Sequence, residues 1–460
     1  MLKKFDKDRI VSMVILTISI IFYLTFGILD GVFISGDSDG YIQMAMLREP
    51  VYPLFLATVR FFFRFMGEGY LFVAVILQSL LMAVATFSLV NYLRMQLKLS
   101  MFISGVLFSI LLATSLLCRF AAGRGVMYQN GIESESLCIP LFLFFIRYLF
   151  DYVLEQKNGK LFILCGLTFL MISVRKQMFL ALFLLILAMV YIAWKNRKGF
   201  LKIAICVLII FACTKLFDFG YNYVLRGTLS THTQDNRFLA TMVFYTSKEE
   251  DANYIEDEKL RSLFIQIYQK CDENKYLKGY AGKGWNHRVE HFGQNYDRIQ
   301  IDTMGPIIRD FVDANYTGDT VYLQKKVDEV THELINVLLP KTLPQIIATF
   351  VDNVFSGLMT TVAKRMPIFI GYTIFIYLAY IILLVINIKK NGLSKSSIFA
   401  IITMLSLILN IGIVSAVIFC QTRYTIYNMP LFYISGVLLI KEFWDSRFIK
   451  SRLNLRGSVK

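Results

Sequence analysis

The sequence predicts an all-α polytopic membrane protein with about ten transmembrane helices, interfacial helices and one mainly helical extracytoplasmic domain. First, the 460 residues are 56% hydrophobic and only 18% charged, with a mean hydropathy of +0.56, which excludes an ordinary soluble domain. Second, apolar runs long enough to cross a bilayer recur along the chain. Third, the basic residues that give a net charge of +15 gather in short clusters between these runs.

Ten apolar runs of about 15 to 25 residues are predicted to span the membrane. They cover residues 10–29, 70–92, 101–119, 134–154, 161–175, 177–194, 200–217, 367–388, 396–419 and 426–443. The first run follows a basic N-terminus but has no small-residue cleavage site, so we predict a retained span. The fifth and sixth runs are separated only by Arg175 and Lys176. The apolar segment 51–66 contains Arg60 and Arg64, which predicts an interfacial helix instead of a span.

The charges of the short loops predict the orientation of the chain. Lys and Arg in short loops are retained on the cytoplasmic side of a membrane. If the N-terminus is cytoplasmic, every loop on that side is basic and so is the C-terminal tail, so both termini are predicted to be cytoplasmic. The outer face then receives residues 30–50, 120–133, 175–176, 218–366 and 421–424.

The spacing of the apolar runs predicts three parts. Residues 1–217 form an N-terminal membrane module that contains the first outer loop, 30–66. Residues 218–366 are long enough for an extracytoplasmic domain. Residues 367–460 form the C-terminal membrane helices and a basic cytoplasmic tail.

The outer segment is predicted to be mainly helical, because apolar residues recur at helical spacing over 256–270 and 322–339. Three prolines, Pro306, Pro340 and Pro344, are predicted to break these helices.

The sequence predicts neither a metal site nor a disulfide framework nor a nucleic-acid partner. The seven cysteines include no CxxC or other ligand-spaced pair, so neither a zinc site nor a disulfide framework is predicted. His287 and His291 have the i, i+4 spacing of a helical metal site, but no third ligand is suggested and a solvated helix face is the simpler interpretation. Because the basic clusters alternate with apolar runs, no nucleic-acid partner is predicted.

A polar stretch over residues 36–45 directly follows the first apolar run. On a helix, Asp37, Tyr41 and Arg48 would share one face, since spacings of 4 and 11 return close to whole turns. Asp37 has two interpretations: it caps a helix that begins near Gly40, or it is a catalytic carboxylate at the membrane edge.

Three short motifs together resemble those of C-type (GT-C) integral-membrane glycosyltransferases, which include protein mannosyltransferases and the lipid A aminoarabinose transferase. They lie in three separate regions of the membrane part. They are Asp37-Ser38-Asp39-Gly40-Tyr41 through Ala45 with Tyr52-Pro53-Leu54, then Ser134-Glu135-Ser136-Leu137, and Arg423-Tyr424 with Met429-Pro430.

The resemblance implies an inverting enzyme of the bacterial plasma membrane that works on the outer face. It implies transfer of a sugar from a polyprenyl-phosphate donor to an envelope glycan, lipid or protein acceptor, with the outer domain selecting the acceptor and membrane lipids as further partners. By motif position Asp37 is the general base that takes the proton of the attacking hydroxyl. Asp39 departs from the commonest motif, and it is a metal ligand, a supporting group or a solvated side chain.

The remaining candidate substrate-binding residues have charged or hydroxyl-bearing side chains and are predicted to lie on the outer membrane face. By motif position Glu135 fits better than Glu133 as a carboxylate that positions the acceptor or a metal; the alternative is a first-turn acid of the next span. The outer cations either snorkel to lipid headgroups or hold the donor phosphate. The full candidate set is Asp39, Tyr41, Arg48, Glu135, Arg175, Lys176, Arg423 and Tyr424, with Arg119 and Arg124 as further outer cations. The carboxylates are compatible with Mg²⁺ or Mn²⁺ and equally with a metal-free reaction.

Two other functions remain open from the sequence. An envelope polysaccharide polymerase also has many spans and outer arginines, but it has less reason to carry an acidic first outer loop. A lipid-linked sugar flippase or other transporter tends to have repeated halves and charges at mid-membrane depth. This sequence has no visible repeat, and its polar residues gather at one membrane edge.

Overall fold

The computed structural model describes residues 2–121, 124–233 and 235–457, and in these ranges the chain forms helices and no β-strand. The all-α prediction is therefore confirmed. One isolated bridge joins Phe33 to Gly131. The α-helices are α1 Leu2–Asp30, α2 Ser38–Ile42, α3 Val51–Phe62, α4 Tyr70–Gln96, α5 Met101–Ala121, α6 Glu135–Glu155, α7 Asn158–Val174, α8 Phe179–Asn196, α9 Phe200–Arg226, α10 Asn236–Thr246, α11 Glu258–Glu273, α12 Trp285–Asp297, α13 Gly305–Asn315, α14 Thr320–Val362, α15 Ile370–Asn391, α16 Lys395–Ser415, α17 Thr422–Thr425 and α18 Met429–Gly457.

Nine helices of the described chain are long and apolar enough to cross a membrane, so the protein is an all-α polytopic membrane protein. They are Asp8–Asp30, Arg64–Gln96, Met101–Phe120, Glu135–Glu155, Lys176–Asn196, Phe200–Arg226, Thr320–Val362, Pro367–Asn391 and Lys395–Ser415. Eight of them coincide with predicted spans. The predicted fifth span is α7, which has only 17 residues. The predicted tenth lies in α18, where Lys441, Glu442 and Asp445 follow the apolar start.

The membrane-length helix that was not predicted as a span is α14. It shows that the breaks predicted at Pro340 and Pro344 are wrong. The helix continues through both prolines for 43 residues. An internal proline removes one amide donor and disfavours the helix, so another contribution must maintain it. Packing supplies that contribution, because Leu334, Leu338 and Ile346 are buried in a hydrophobic core on either side of the prolines. Tertiary burial here overrides local propensity.

The first of two compact units contains Met1–Tyr221, Gly371–Leu409 and Ile426–Lys460. Within it α4 packs along both α1 and α6, and α6 also packs against α7 and α8. Ion pairs join helix ends: Asp30 at the end of α1 binds Arg119 of α5 at 2.6 Å. The short helix α3 packs against α4 and is too short to span a membrane.

The second compact unit contains Asn222–Ile370 and Asn410–Thr425. The two helices predicted there are present as α11 and α14, and each begins at a capping carboxylate. Asp257 accepts from the Leu260 amide at 2.8 Å, and Asp319 accepts from the Tyr322 amide at 2.7 Å. An aromatic core surrounds these helices, and its largest buried members are Phe244, Tyr245, Phe264, Phe292 and Tyr296.

Candidate functional site

The carboxylate of Asp37 is paired with Arg48 and does not cap a helix. Asp37 occupies the N-cap position of α2, yet its side chain makes no capping hydrogen bond. Its Oδ1 instead accepts from Arg48 Nη2 at 2.8 Å. The Asp37 side chain is 35% exposed and the Arg48 side chain 14% exposed, so the acid remains open to solvent on one side.

A sharp turn, rather than one continuous helix, brings Asp37, Tyr41 and Arg48 together. The helix α2 has only five residues, and the chain turns back at Met44, which has a φ of 54°. The Arg48 guanidinium then stacks on the Tyr41 ring, with its carbon 4.5 Å from the ring centroid. It also passes over Gly40, where an added Cβ would lie 2.7 Å from Arg48 Nε. A side chain at this position would therefore displace the Arg48 guanidinium.

Ser134, at the start of α6, connects the first loop to the end of α7. Its hydroxyl accepts from the Tyr41 hydroxyl at 3.1 Å and from Arg175 Nη1 at 3.0 Å. It donates to Glu135 Oε2 at 3.2 Å, and the same Arg175 nitrogen binds that oxygen at 2.7 Å. Sequence reasoning placed Glu135 and Arg175 in the site but gave no role to Ser134.

Glu49 is a second residue that sequence reasoning missed. Its Oε1 accepts from the Lys176 backbone amide at 3.1 Å, which joins the first loop to the turn between α7 and α8. The signal was present in the sequence, because Glu49 is a charge placed directly before Pro50 and the apolar helix α3. We call Asp37, Tyr41, Arg48, Glu49, Ser134, Glu135, Arg175 and Lys176 the loop network.

The loop network balances its charges. It contains three carboxylates, from Asp37, Glu49 and Glu135, and three cations. Burial alone would lower the pKa of Arg48, but Tyr41 and Asp37 together raise it, so the guanidinium stays charged. Burial raises the pKa of Tyr41, which keeps the phenol protonated and able to donate. Such a set can accept a proton at a carboxylate and bind phosphate oxygens at its guanidinium groups.

A pocket opens beside Glu135 in the same unit. Its cavity volume is about 30 Å³, which is room for a few water molecules. The carboxylate of Glu135 and the hydroxyl-bearing residues Thr114, Ser115 and Ser136 line it, together with apolar side chains such as Leu111. Glu135 therefore belongs to the loop network and also lines this small, mainly apolar recess.

Arg124 pairs with Glu133 and Arg119 pairs with Asp30, so these two cations, predicted to lie on the outer face, are not members of the loop network. Arg124 Nη1 binds Glu133 Oε2 at 2.8 Å and Oε1 at 3.1 Å, and both side chains are buried. The Arg124 guanidinium lies between the rings of Phe33 and Tyr128, at 4.5 and 4.6 Å from their centroids. We call the Arg124–Glu133 ion pair, with the rings of Phe33 and Tyr128 against its guanidinium, the sealed pair.

The other predicted site residues are not members of the loop network. Asp39 is exposed on α2. Arg423 and Tyr424 belong to the second unit, where Tyr424 is buried and its carbonyl accepts from Asn410 at 2.7 Å.

The i, i+4 histidines of the second unit also lie outside the loop network. His287 is exposed, whereas His291 forms hydrogen bonds with the Tyr245 hydroxyl and the Lys275 carbonyl. Among the described residues no group of three or more His, Cys, Asp or Glu side chains is arranged to hold a metal ion.

The loop network thus combines a partly exposed carboxylate and partly buried guanidinium groups beside a small recess at one end of α6. Comparisons of this chain with protein-family models, with curated proteins and with solved structures find no match.

Proposed function

We propose that the protein is an inverting glycosyltransferase that moves a sugar from a polyprenyl-phosphate donor to an envelope glycan, lipid or protein acceptor. The observation that carries the proposal is the half-exposed Asp37 carboxylate held by Arg48 within the loop network. Charged groups at the end of a membrane helix are costly unless they bind, react or face water, and the proposal assigns Asp37 a reactive role. The protein would act in the bacterial plasma membrane, with both termini in the cytoplasm and the site on the outer face.

In the proposed reaction the acceptor hydroxyl oxygen attacks the anomeric carbon of the donor sugar. The bond between that carbon and the phosphate oxygen breaks, and polyprenyl phosphate leaves with both bonding electrons. Asp37 takes the proton of the hydroxyl as general base. Its exposed side allows the acceptor to approach.

The leaving phosphate needs cations that are already in position. Arg48 is held by Asp37 and by the Tyr41 ring, so its guanidinium would already be in position for the leaving phosphate. Arg175 is held by Ser134 and Gln177, and Lys176 follows it in the chain. The outer segment 218–366 would select the acceptor.

The test is sugar transfer in membranes that express wild type, D37N or D39N at equal levels. The donors are radiolabelled polyprenyl-phosphate-linked hexoses, and total envelope glycan is a second readout. We expect D37N to lose activity by about 10²- to 10⁴-fold, since the general base is removed. D39N is the matched control, because Asp39 is exposed two residues away, and it should retain most activity. Full activity in D37N would overturn the assignment of the base.

A further inference from the structure

The end of α6 opposite to Glu135 carries a second cluster of charges. Arg147 lies within the membrane-length helix Glu135–Glu155, one turn before Asp151. Asp151 is buried and is paired with Lys160 of α7 at 2.5 Å. The cluster therefore lies between α6 and the beginning of α7, at the other membrane face from the loop network.

Arg147 is only partly satisfied by the protein. Its Nη1 donates to Ser88 of α4 at 2.8 Å, and its guanidinium carbon lies 4.5 Å from the centroid of the Tyr148 ring. Its Nε is buried and has no hydrogen-bond partner in the described chain. No described carboxylate is within ion-pair distance of Arg147. A guanidinium at this depth is costly without a counter-charge.

Two cations share one aromatic ring here. Lys160 Nζ lies 5.5 Å from the centroid of the same Tyr148 ring. Against these two positive charges stands the single carboxylate of Asp151; the nearby Glu155 is paired with Lys157 at 2.9 Å. The cluster thus has an excess of one positive charge. An anion with several acceptor oxygens would neutralise it and accept from both the Arg147 guanidinium and the Lys160 ammonium.

We propose that Arg147 and Lys160 bind the phosphate of an anionic phospholipid headgroup from the membrane leaflet at this end of α6. Lys160 is the third residue of α7 and lies near the helix end, where headgroup phosphates of a bilayer are found. Arg147 lies two turns inside the end of α6 and shares the Tyr148 ring with Lys160, so a phosphate bound at Lys160 would supply its counter-charge. This site is independent of the proposed transferase function.

The test uses the purified full-length chain in a neutral detergent. Phosphatidylglycerol, phosphatidylcholine or inorganic phosphate is added separately, and thermal unfolding and retained lipid are measured by intrinsic fluorescence and native mass spectrometry. We expect phosphatidylglycerol to raise the unfolding temperature of wild type more than phosphatidylcholine does. We expect R147Q to weaken phosphatidylglycerol binding roughly tenfold, since charge-assisted hydrogen bonds are lost.

Two variants keep the test decisive. R147K retains the charge but not the forked donors, so it should fold and bind phosphatidylglycerol with intermediate affinity. R9Q makes the same chemical change as R147Q at an exposed position of α1 and should bind as wild type does. Equal stabilisation of wild type by both lipids, or an unchanged preference in R147Q and R147K, would overturn the site. Equal stabilisation by inorganic phosphate would overturn the lipid as the source of the anion.

Discussion

The loop network and the sealed pair are two sets of charges in the first unit, and they differ chiefly in access to solvent. Both place a carboxylate of the first or second loop against an arginine at 2.8 Å, with an aromatic ring beneath the guanidinium. The Asp37 side chain is 35% exposed, whereas the Glu133 side chain is 1% exposed. An accessible carboxylate can exchange a proton, while a sealed one can only hold structure. Variants of these two sets of charges test this division.

The largest expected effect is on stability, in E133Q. Neutralising Glu133 leaves Arg124 as a buried charge without its counter-ion, and breaking a buried ion pair in this way costs about 3–5 kcal/mol. D37N should cost less, about 1–2 kcal/mol, because Asp37 is 35% exposed although Arg48 is only 14% exposed. Thermal unfolding of both variants measures the difference.

The control for E133Q is the double variant R124M/E133L. Because it removes both charges and keeps apolar volume, we expect it to be more stable than E133Q alone. If E133Q and D37N unfold at the same temperature, the distinction between a structural and a reactive pair is wrong.

The second prediction compares two glycines that lie under these arginines. An added Cβ at Gly131 would lie 2.7 Å from Arg124 Nη2 and 3.3 Å from the rigid Tyr128 carbonyl. An added Cβ at Gly40 would meet only the mobile end of Arg48, also at 2.7 Å. We therefore expect G131A to lose about 1–3 kcal/mol of unfolding free energy.

For G40A we expect near-normal stability and a loss of sugar transfer of roughly tenfold, because displacement of Arg48 weakens one charged contact. Unfolding and transfer are measured on the same preparations. An unstable G40A with an unaffected G131A would reverse the comparison.

The third prediction concerns the hydroxyl at the centre of the loop network. S134A removes the acceptor of the Tyr41 hydroxyl, whereas Arg175 keeps its bond to Glu135. We expect a cost of about 1 kcal/mol in unfolding free energy. The matched control is S173A in α7, because Ser173 is buried and its hydroxyl has no hydrogen-bond partner in the described chain. Equal losses in the two variants would show that the network adds nothing to stability.

The smallest expected effect concerns His291 of the second unit, which contains neither the loop network nor the sealed pair. His291 Nε2 donates to the Lys275 carbonyl, so Nδ1 of the neutral ring accepts from Tyr245. Burial lowers the pKa of His291 below 6.5, which favours the neutral ring in the folded state. The resulting stability is present above pH 6.5 and is lost as the pH falls through and below that value.

The measurement for His291 is the unfolding temperature between pH 7.5 and 5. H291Q should show a shallower decline than wild type, whereas H287Q, at an exposed position, should follow wild type. A decline in H291Q as steep as in wild type would contradict a role for this histidine.

Much of the fold could be predicted from the sequence, because composition and apolar run length reflect the membrane directly. The limits appear where packing decides. Nothing local distinguishes Pro340 and Pro344 of α14 from helix breakers, since the core that maintains the helix is built from distant segments.

The motifs of the site could be predicted from the sequence, but the pairs that its side chains form could not. The spacing of Asp37, Tyr41 and Arg48 indicated one cluster, although a turn and not a helix forms it. Ser134 and Glu49 were missed because their partners lie 93 and 127 residues away. Glu133 and Glu135 look alike in sequence, and only burial and partner choice separate them.

The charge balance of the loop network has a consequence for how a ligand would arrive. Three carboxylates and three cations within a small volume largely cancel beyond a Debye length of about 8–10 Å. Long-range electrostatic attraction of a dissolved anion to this site would therefore be weak, and its rate of binding should depend little on ionic strength. A phosphate borne on a lipid needs no such attraction, because lateral diffusion within the leaflet already delivers it to the helix ends. Encounter in this protein would be a two-dimensional search, limited by the fluidity of the bilayer and not by long-range steering.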